Sequence, residues 1–336
     1  MDSNDIVVSV YCLAYNHERF IKDTLDGFVN QKARFKYEVF VHDDASTDNT
    51  AAIIREYAVR YPEIIKPIFQ QENQHSKKIR IVQTYMLPKM SGKYVACCEG
   101  DDYWTDPHKL QKQVDILEEY PNCTICFGVV ESVNINGGSL NKSHPEKGRL
   151  TEGIIKQKDF LRHVAYPAPL RNMFIQLSGC MWRMDVYKEY LCNPPFFRSQ
   201  FDVGDIPIFL YLGLQGDAYF IDRAVSCYRT MNAGSFMGRT RQNREKFLKH
   251  LETESEGLRM FDQYSNGIVH EAVEQSIKSR RFQGMQYCHD IVGMKSSEMA
   301  EFYHMLDWKV KIKENLFHFF PWLEPLMKKT KSILIK

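Results

Sequence analysis

The sequence has no apolar run long enough to cross a bilayer and almost no excess charge of either sign. A spanning helix needs about 18 or more apolar residues in a row, and none of the 336 residues lies in such a run. The start, MDSNDIVVSV, lacks the basic segment and long apolar stretch of a secretory signal. The formal net charge is +2, which gives no reason to expect a nucleic-acid partner. These absences favour a cytoplasmic globular protein that binds no nucleic acid.

Two familiar phosphate-binding motifs are also missing. The chain contains neither G-x-G-x-x-G nor G-x-x-x-x-G-K-[ST]. In both motifs glycine lets the backbone approach a phosphate closely. The sequence therefore argues against a Rossmann dehydrogenase and against a P-loop NTPase, because it lacks the motif that defines each class.

Cysteine is present nine times, but its pattern supports neither a disulfide framework nor a metal centre. The number is odd in a large chain without a signal sequence. Cys123 and Cys126 form a single C-x-x-C with no second pair and no histidine cluster. The apolar runs around Cys12, Cys97 and Cys98 are typical of core packing.

The first 130 residues alternate strand-like and helix-like patterns. We predict strands over 6–14, 37–42, 64–69 and 93–98, and helices over 18–31, 51–61 and 79–90. Such alternation predicts an α/β fold with a Rossmann-like, mostly parallel sheet flanked by helices. Residues 134–150 have the composition of a loop or hairpin. The pattern beyond Arg239 is mostly helical.

Polar groups follow three of the predicted strands. They are Tyr15-Asn16, Asp43-Asp44, and the turn Glu99-Gly-Asp101-Asp102, which we call the acidic turn. Ligands of parallel sheets bind outside the carboxyl ends of the strands, so these groups should converge on one site. Like charges raise one another's pKa, and a bound Mg²⁺ or Mn²⁺ that holds a diphosphate would remove that penalty. The alternative is a solvated acidic turn.

Three blocks of sequence resemble the family-two inverting glycosyltransferases of the GT-A fold, of the type found in bacterial polysaccharide synthesis. They are VVSVYCLAYNHERFIKDTLDGFVNQ (7–31), YEVFVHDDASTDNT (37–50) and GKYVACCEGDDYWTDPHKLQKQ (92–113), with a weaker fourth block over 204–229. The resemblance covers about the first 230 residues. It implies a nucleotide-diphosphate-sugar donor and a metal-binding acidic motif after the fourth strand.

The resemblance also implies roles for individual residues. Asp44 would bind the nucleotide base, Asp101 the ribose, and Asp102 the metal that bridges the diphosphate. Glu99 and Asp101 stand at the positions of the family's D-x-D, which leaves open whether Glu99 reaches the nucleotide or the metal. The full predicted set is Tyr15, Asp44, Lys78, Glu99, Asp101 and Arg229 for the nucleotide, and Asp101 and Asp102 for the metal.

Inverting transfer also needs a base that takes the acceptor's proton. Asp205 in Gly-Asp-Ile-Pro matches the family's base, and Asp202 competes with it. Asp205 at a helix start would also stabilise the helix dipole. Arg229 resembles the arginine of the family's Y-R, which implies a contact with the diphosphate. The alternative role for Arg229 is an ordinary ion pair. The histidine that many relatives carry shortly afterwards is absent from 230–235.

The sequence gives weaker support for placing several further basic and aromatic residues in the site. Lys78, with Lys77 and Arg80 beside it, could reach a phosphate or simply begin a solvated helix. Trp104, next to Tyr103, and Trp182 are predicted to contact the acceptor, with burial in the core as the alternative.

The resemblance divides the chain at residue 235. Residues 1–235 would form the donor-binding and catalytic domain, and 236–336 a helical region. The last 28 residues, 309–336, hold seven Lys and two Glu among Phe and Trp. We predict that this tail docks on the inner face of the cell membrane. Packing on the catalytic domain, or on a second copy in a homodimer, is the alternative.

Together the residues and the resemblance predict a metal-dependent inverting glycosyltransferase, hexosyl or N-acetylhexosaminyl. The donor would be a nucleotide sugar, UDP-linked because the family most often uses UDP. The acceptor would be a hydroxyl of a glycan or lipid-linked oligosaccharide in cell-surface polysaccharide synthesis. A nucleotidyltransferase and a non-catalytic partner in a glycan assembly complex remain as alternatives.

Overall fold

Ten strands form one sheet in the computed structural model, which describes residues 5–166, 175–230 and 240–323. The strands are β1 Ile6–Ala14, β2 Lys36–Asp43, β3 Ile65–Phe69, β4 Tyr94–Cys97, β5 Tyr103–Trp104, β6 Cys123–Val133, β7 Ser139–His144, β8 Gly153–Ile155, β9 Cys180–Arg183 and β10 Asp217–Arg229. Their order is β3-β2-β1-β4-β9-β6-β10-β5, with β7 beside β6 and β8 beside β10.

The half of the sheet built from β1 to β4 is parallel, as predicted. β1 lies between β2 and β4, with Ala14 opposite Asp43 and Tyr11 opposite Cys97. This register brings the carboxyl ends of β1, β2 and β4 to one edge. β9 then runs antiparallel to both β4 and β6, while β6 and β10 are parallel. The sheet as a whole is therefore mixed, and its parallel half carries the acidic turn.

Helices cover both faces of the sheet and continue to the end of the described chain. They are α1 Ile21–Val29, α2 Thr50–Arg60, α3 Lys109–Glu119, α4 Gln157–Ala165, α5 Met184–Cys192, α6 Asp205–Gln215, α7 Arg244–Tyr264, α8 His270–Tyr287, α9 Ile291–Met294, α10 Ala300–Met305 and α11 Trp308–Phe319. None of the described helices is both long enough and apolar enough to cross a membrane.

One predicted helix is irregular. Residues 79–90 form a π-helical turn, Val82–Met86, followed by a 3₁₀ turn, Leu87–Lys89. Pro88 has no amide hydrogen and its ring crowds the preceding turn, so a regular helix cannot continue through it. Residues 134–150, predicted to form a loop or a hairpin, include β7, which folds back on β6 as a hairpin.

The two faces of the sheet pack in two hydrophobic clusters. Alternation along β1 places Val8, Val10 and Cys12 in one cluster and Tyr11 in the other. The cluster that contains Tyr11 also contains Leu258 of α7. The first long helices after residue 240 therefore share a core with the sheet. The predicted domain boundary at 235/236 lies outside the described residues.

Candidate active site

A cavity of about 1540 Å³ opens at the carboxyl edge of the parallel strands. The acidic turn forms one part of its wall, and Asp205, the first residue of α6, forms another. Arg229 at the end of β10 also lines it. The structure thus brings together five of the residues predicted from sequence. The far wall comes from α7 and α8, which the sequence did not suggest as part of the site.

The acidic turn is held tightly against the end of β1. A Cβ atom at Gly100 would lie 2.8 Å from His17 Nδ1 and 3.0 Å from Ala14 Cβ, so only glycine fits there. The Gly100 amide donates to Leu13 O at 2.9 Å. The Thr24 hydroxyl of α1 lies 3.1 Å from Gly100 O and 2.5 Å from Asp102 O. The backbone that carries these carboxylates is therefore held in place.

Arg229 anchors the same turn from the other side. Its backbone N–H donates to Asp102 Oδ1 at 2.9 Å, and its guanidinium donates to the Asp101 carbonyl at 2.8 Å. The guanidinium also pairs with Asp23 and lies 4.6 Å from the centre of the Tyr103 ring. Only 5% of Arg229 is exposed. Its predicted contact with the diphosphate stays a prediction, and the structure adds a positioning role.

Two carboxylates of the acidic turn, Glu99 and Asp102, are hard to ionise. Burial, the charge of Asp101 and the charge of Asp205 raise the pKa of Glu99 to about 7. Burial raises the pKa of Asp102 well above its ordinary value, and the charges of Asp101 and Glu99 add to the effect. The Arg229 contacts lower the pKa of Asp102 but do not offset the rise. The partners of the turn within the protein therefore do not compensate the negative charge that these carboxylates carry when they ionise.

The acidic turn fits a divalent cation that is shared with a phosphate ligand. Across residues 5–166, 175–230 and 240–323, no three His, Cys, Asp or Glu side chains converge into a complete metal site. Mg²⁺ and Mn²⁺ prefer oxygen ligands, and Mg²⁺ usually takes one or two carboxylates with phosphate oxygens and water. Asp101 and Asp102 supply such oxygens. The donors therefore fit a cation whose coordination a diphosphate completes.

Asp205 lines the same cavity as the acidic turn and the far wall. It is half-buried, burial raises its pKa, and its charge acts on both Glu99 and Glu254 of α7. Asp202, its competitor for the role of base, is exposed, and its Oδ2 is 3.2 Å from His250 Nδ1. The half-buried position and raised pKa of Asp205 favour it as the base.

Three predicted nucleotide ligands lie outside the cavity wall. Asp44 is 4% exposed, and its carboxylate accepts the backbone N–H groups of Gln74 at 2.7 Å and His75 at 3.0 Å. Tyr15 is 46% exposed beyond β1. Lys78 is exposed with a φ of 60°, and none of the three lines the cavity. Their contacts with a nucleotide stay predictions.

Two other residues near the strand ends do line the cavity. Arg80 reaches it although Lys78 does not. The sequence prediction omitted His17, whose Nδ1 is buried without a hydrogen-bond partner among the described residues. Burial lowers the pKa of His17, which keeps the imidazole neutral. Its position directly after Tyr15-Asn16, at the end of β1, is the signal that would have found it.

The structure corrects the predicted acceptor role of both tryptophans. Trp182 has no exposed surface, and its ring centre is 5.4 Å from that of Tyr187 and 6.4 Å from that of Tyr11. Trp104 is 4% exposed and donates from Nε1 to Ser178 O at 2.9 Å. Neither side chain lines the cavity, so neither can touch a molecule bound there. Both are therefore core residues.

The raised pKa of Glu99 predicts a pH effect on stability. Between its ordinary value of 4.5 and about 7, the folded protein holds a proton that the unfolded chain has lost. Stability from this group is therefore lost as the pH rises through that range. Glu99→Gln has no ionisable group at this position. Its melting temperature minus that of the parent protein should therefore rise from about pH 5 to about pH 7.5. Melting curves without metal measure this, and a constant difference across the range would contradict it.

Two solved structures share the fold. Staphylococcus aureus TarS 1–349, crystallised with UDP, is 15% identical with a TM-score of 0.54, over 85% of this chain and 92% of that one. The mannosyltransferase PcManGT from Pyrobaculum calidifontis, in complex with GDP-Man and Mn²⁺, is 14% identical with a TM-score of 0.50, over 95% and 90%. This sheet, with its acidic edge, therefore has the GT-A fold, as predicted.

The family follows from the sequence comparison. The model described as glycosyl transferase family 2 matches residues 9–191, more than half of the chain. This chain belongs to glycosyl transferase family 2.

Two relatives show how far the similarity extends. An uncharacterised protein of Mycobacterium tuberculosis is 38% identical over 178 residues, 52% of this chain and 46% of the relative, so this chain spans about half of that protein's length. TuaG of Bacillus subtilis, named as a glycosyltransferase of teichuronic acid biosynthesis, is 29% identical over 227 residues, 67% of this chain and 80% of the relative.

Proposed function

We propose that this chain is a metal-dependent inverting glycosyltransferase. It moves a hexosyl or N-acetylhexosaminyl group from a nucleotide-diphosphate sugar, UDP-linked, to a hydroxyl of a glycan or lipid-linked oligosaccharide. The pathway is cell-surface polysaccharide synthesis. One observation carries the proposal: the acidic turn and Asp205 line the same cavity, and the charge of Asp205 acts on Glu99.

The comparisons supply support of different kinds. The family match supports glycosyl transfer as the reaction. The name of TuaG supports a polysaccharide pathway. UDP bound to TarS supports a UDP-linked donor, and the Mn²⁺ complex of PcManGT supports a divalent cation.

The mechanism assigns each end of the cavity a task. Asp101 and Asp102 hold the donor end, and a divalent cation bound there would offset charge on the departing diphosphate. Thr24 and Arg229 keep these carboxylates in place. Asp205 takes the proton from the acceptor hydroxyl, and its raised pKa brings it closer to the operating pH, where a base works best. The acceptor oxygen then bonds to the anomeric carbon from the face opposite the diphosphate, while the bond between that carbon and the diphosphate oxygen breaks.

The two alternative functions lack a corresponding observation. Nucleotidyltransferases usually carry a glycine- and lysine-rich phosphate loop after the first strand, and Tyr15-Asn16-His17 does not supply one. A non-catalytic partner has no need of a carboxylate in the position of Asp205.

A screen of nucleotide sugars tests the donor assignment. We expect one nucleotide class, UDP, to raise the melting temperature in the presence of Mn²⁺ and not in EDTA. A ligand at 100 times its dissociation constant stabilises the native state by about 2.7 kcal/mol. GDP-, ADP- and dTDP-sugars serve as matched controls. If no nucleotide sugar, UDP-sugars included, stabilised the protein, the proposed function would be contradicted, and stabilisation by GDP-sugars alone would reassign the nucleotide.

We also propose that the C-terminal helix α11 docks on the inner face of the cell membrane. Trp308, Ile312 and Phe319 are 63%, 58% and 68% exposed on this helix, next to Lys309. Apolar side chains beside lysines suit an anionic lipid surface. Residues 324–336 of the predicted tail lie outside the described residues.

Flotation with vesicles of phosphatidylcholine and phosphatidylglycerol tests this docking. We expect the chain to float with anionic vesicles, and Trp308→Ser with Ile312→Ser and Phe319→Ser to reduce the bound fraction about five-fold, because most of the apolar contact is lost. Val59→Ser with Val292→Ser, at sites 83% and 72% exposed elsewhere, is the control. Equal flotation of the triple variant would exclude this surface. If the triple variant eluted from gel filtration as a smaller particle than the parent protein, this surface would instead be the contact with a second copy of the chain.

A further inference from the structure

The far wall of the cavity is a polar surface outside the matched family region. The family match ends at residue 191, whereas α7 and α8 begin at Arg244 and His270. Glu254 of α7 and Arg280 and Gln283 of α8 line the cavity. Positions 280 and 283 are three residues apart and lie on one face of their helix.

Glu254 and Arg280 form a buried pair that leaves hydrogen-bonding capacity unused. The closest nitrogen and oxygen are 3.7 Å apart, and the side chains are 3% and 11% exposed. Glu254 Oε1 is buried and has no hydrogen-bond partner among the described residues. Such a group is costly to leave unsatisfied. A donor that enters from the cavity would satisfy this oxygen.

The pair lies close to the proposed base. Burial raises the pKa of Glu254 to about 7, Arg280 lowers it, and the charges of Asp202 and Asp205 raise it further. Asp205 also acts on Glu99, and it lines the same cavity as both the acidic turn and this pair. A molecule held by Glu254 and Arg280 would present a neighbouring group to Asp205.

The chemistry of the wall favours an uncharged sugar. A hydroxyl can donate to Glu254 and accept from Arg280, and vicinal hydroxyls can do both at once. Phe201 and Phe247 also line this end and offer apolar surface to a ring. The cavity also contains further arginines, but the main charges that act on Glu254 are Arg280, Asp202 and Asp205, and the two carboxylates would oppose an acidic group on the ligand there.

We propose that Glu254, Arg280 and Gln283 form an acceptor subsite that binds a neutral sugar ring through vicinal hydroxyls, beside Asp205. This assignment rests on the proposed function, since it makes the ring part of the acceptor. It gives the C-terminal helices a direct part in choosing the acceptor.

Binding of simple glycosides to the full chain tests the subsite. The probes are the methyl glycosides of glucose, galactose, mannose and N-acetylglucosamine, measured by saturation-transfer NMR with UDP and Mn²⁺ present. We expect at least one to bind, and Glu254→Gln and Gln283→Leu each to weaken it ten-fold or more. Glu256→Gln, on the same helix with an exposed side chain, is the control and should bind as the parent does.

The outcomes separate this subsite from the proposed function. UDP binding is measured first, without glycoside, and its absence would contradict the proposed function instead. If UDP binds but no methyl glycoside does, or if both variants bind glycosides normally, the subsite is overturned. Stronger binding of methyl glucuronide than of the neutral glycosides would overturn the uncharged ligand. Gln283→Leu decides the matter if Glu254→Gln fails to fold, because it leaves the buried ion pair intact.

Discussion

Asp205→Asn is expected to lower the turnover number about 10²- to 10⁴-fold, the usual contribution of a positioned base. Asparagine has nearly the same shape but cannot accept a proton. The acidic turn is untouched, so binding of UDP with Mn²⁺ should stay within about two-fold of the parent value, because its ligands come from another part of the chain. Steady-state rates with the best donor, together with UDP titration, measure both effects.

Asp202→Asn is the matched control for this prediction. Asp202 stands three residues earlier in the same wall, but it is exposed and near His250. We expect a loss of less than about ten-fold, since no proton transfer depends on it. If the loss falls on Asp202→Asn instead, the role of base moves to that residue. Full turnover by Asp205→Asn would remove the base from the mechanism.

Asp102→Asn is expected to have two effects of opposite sign. Turnover should fall at least 100-fold, and the rise in melting temperature caused by Mn²⁺ with UDP should disappear, because the neutral amide is a poor ligand for a hard cation. The metal-free protein should become more stable. Burial and the neighbouring carboxylates make ionised Asp102 unfavourable, and each pKa unit corresponds to about 1.4 kcal/mol. The amide oxygen can still accept the Arg229 N–H.

Melting curves without ligand measure the gain in stability of the metal-free protein. Melting curves with Mn²⁺ and UDP measure the loss of stabilisation by these ligands. Asp115→Asn, an exposed carboxylate on α3, is the control and should change neither. A metal-free Asp102→Asn protein that melts below the parent would mean that the carboxylate stabilises the turn through Arg229. An unchanged response to Mn²⁺ and UDP would place the cation elsewhere.

Much of the parallel half of the fold was predictable because its signals are local. The strand Ile6–Ala14 was predicted with the bounds that the structure has. Once the strands are assigned, their carboxyl ends must share an edge, so convergence of the acidic turn with the ends of β1 and β2 follows from topology. The failure of helix 79–90 was also a local matter, since Pro88 was visible in the sequence.

The partners of the site residues were not predictable in this way. Arg229 is hydrogen-bonded to Asp102, which is 127 residues away in the sequence, and no local sequence pattern near either residue indicates that contact. Trp104 and Trp182 follow motifs that suggest a ligand, yet long-range packing buries both. The far wall brings Glu254 and Arg280 into a cavity whose other end is built from the first strands.

The sequence by itself determined the strands of the parallel half, the acidic turn at their edge and the family of the chain, because these depend on periodicity, strand direction and neighbouring residues. The tertiary structure alone decided which side chains reach the cavity. That choice depends on burial and on contacts between distant segments, which place Asp205, the acidic turn and the pair formed by Glu254 and Arg280 around one cavity.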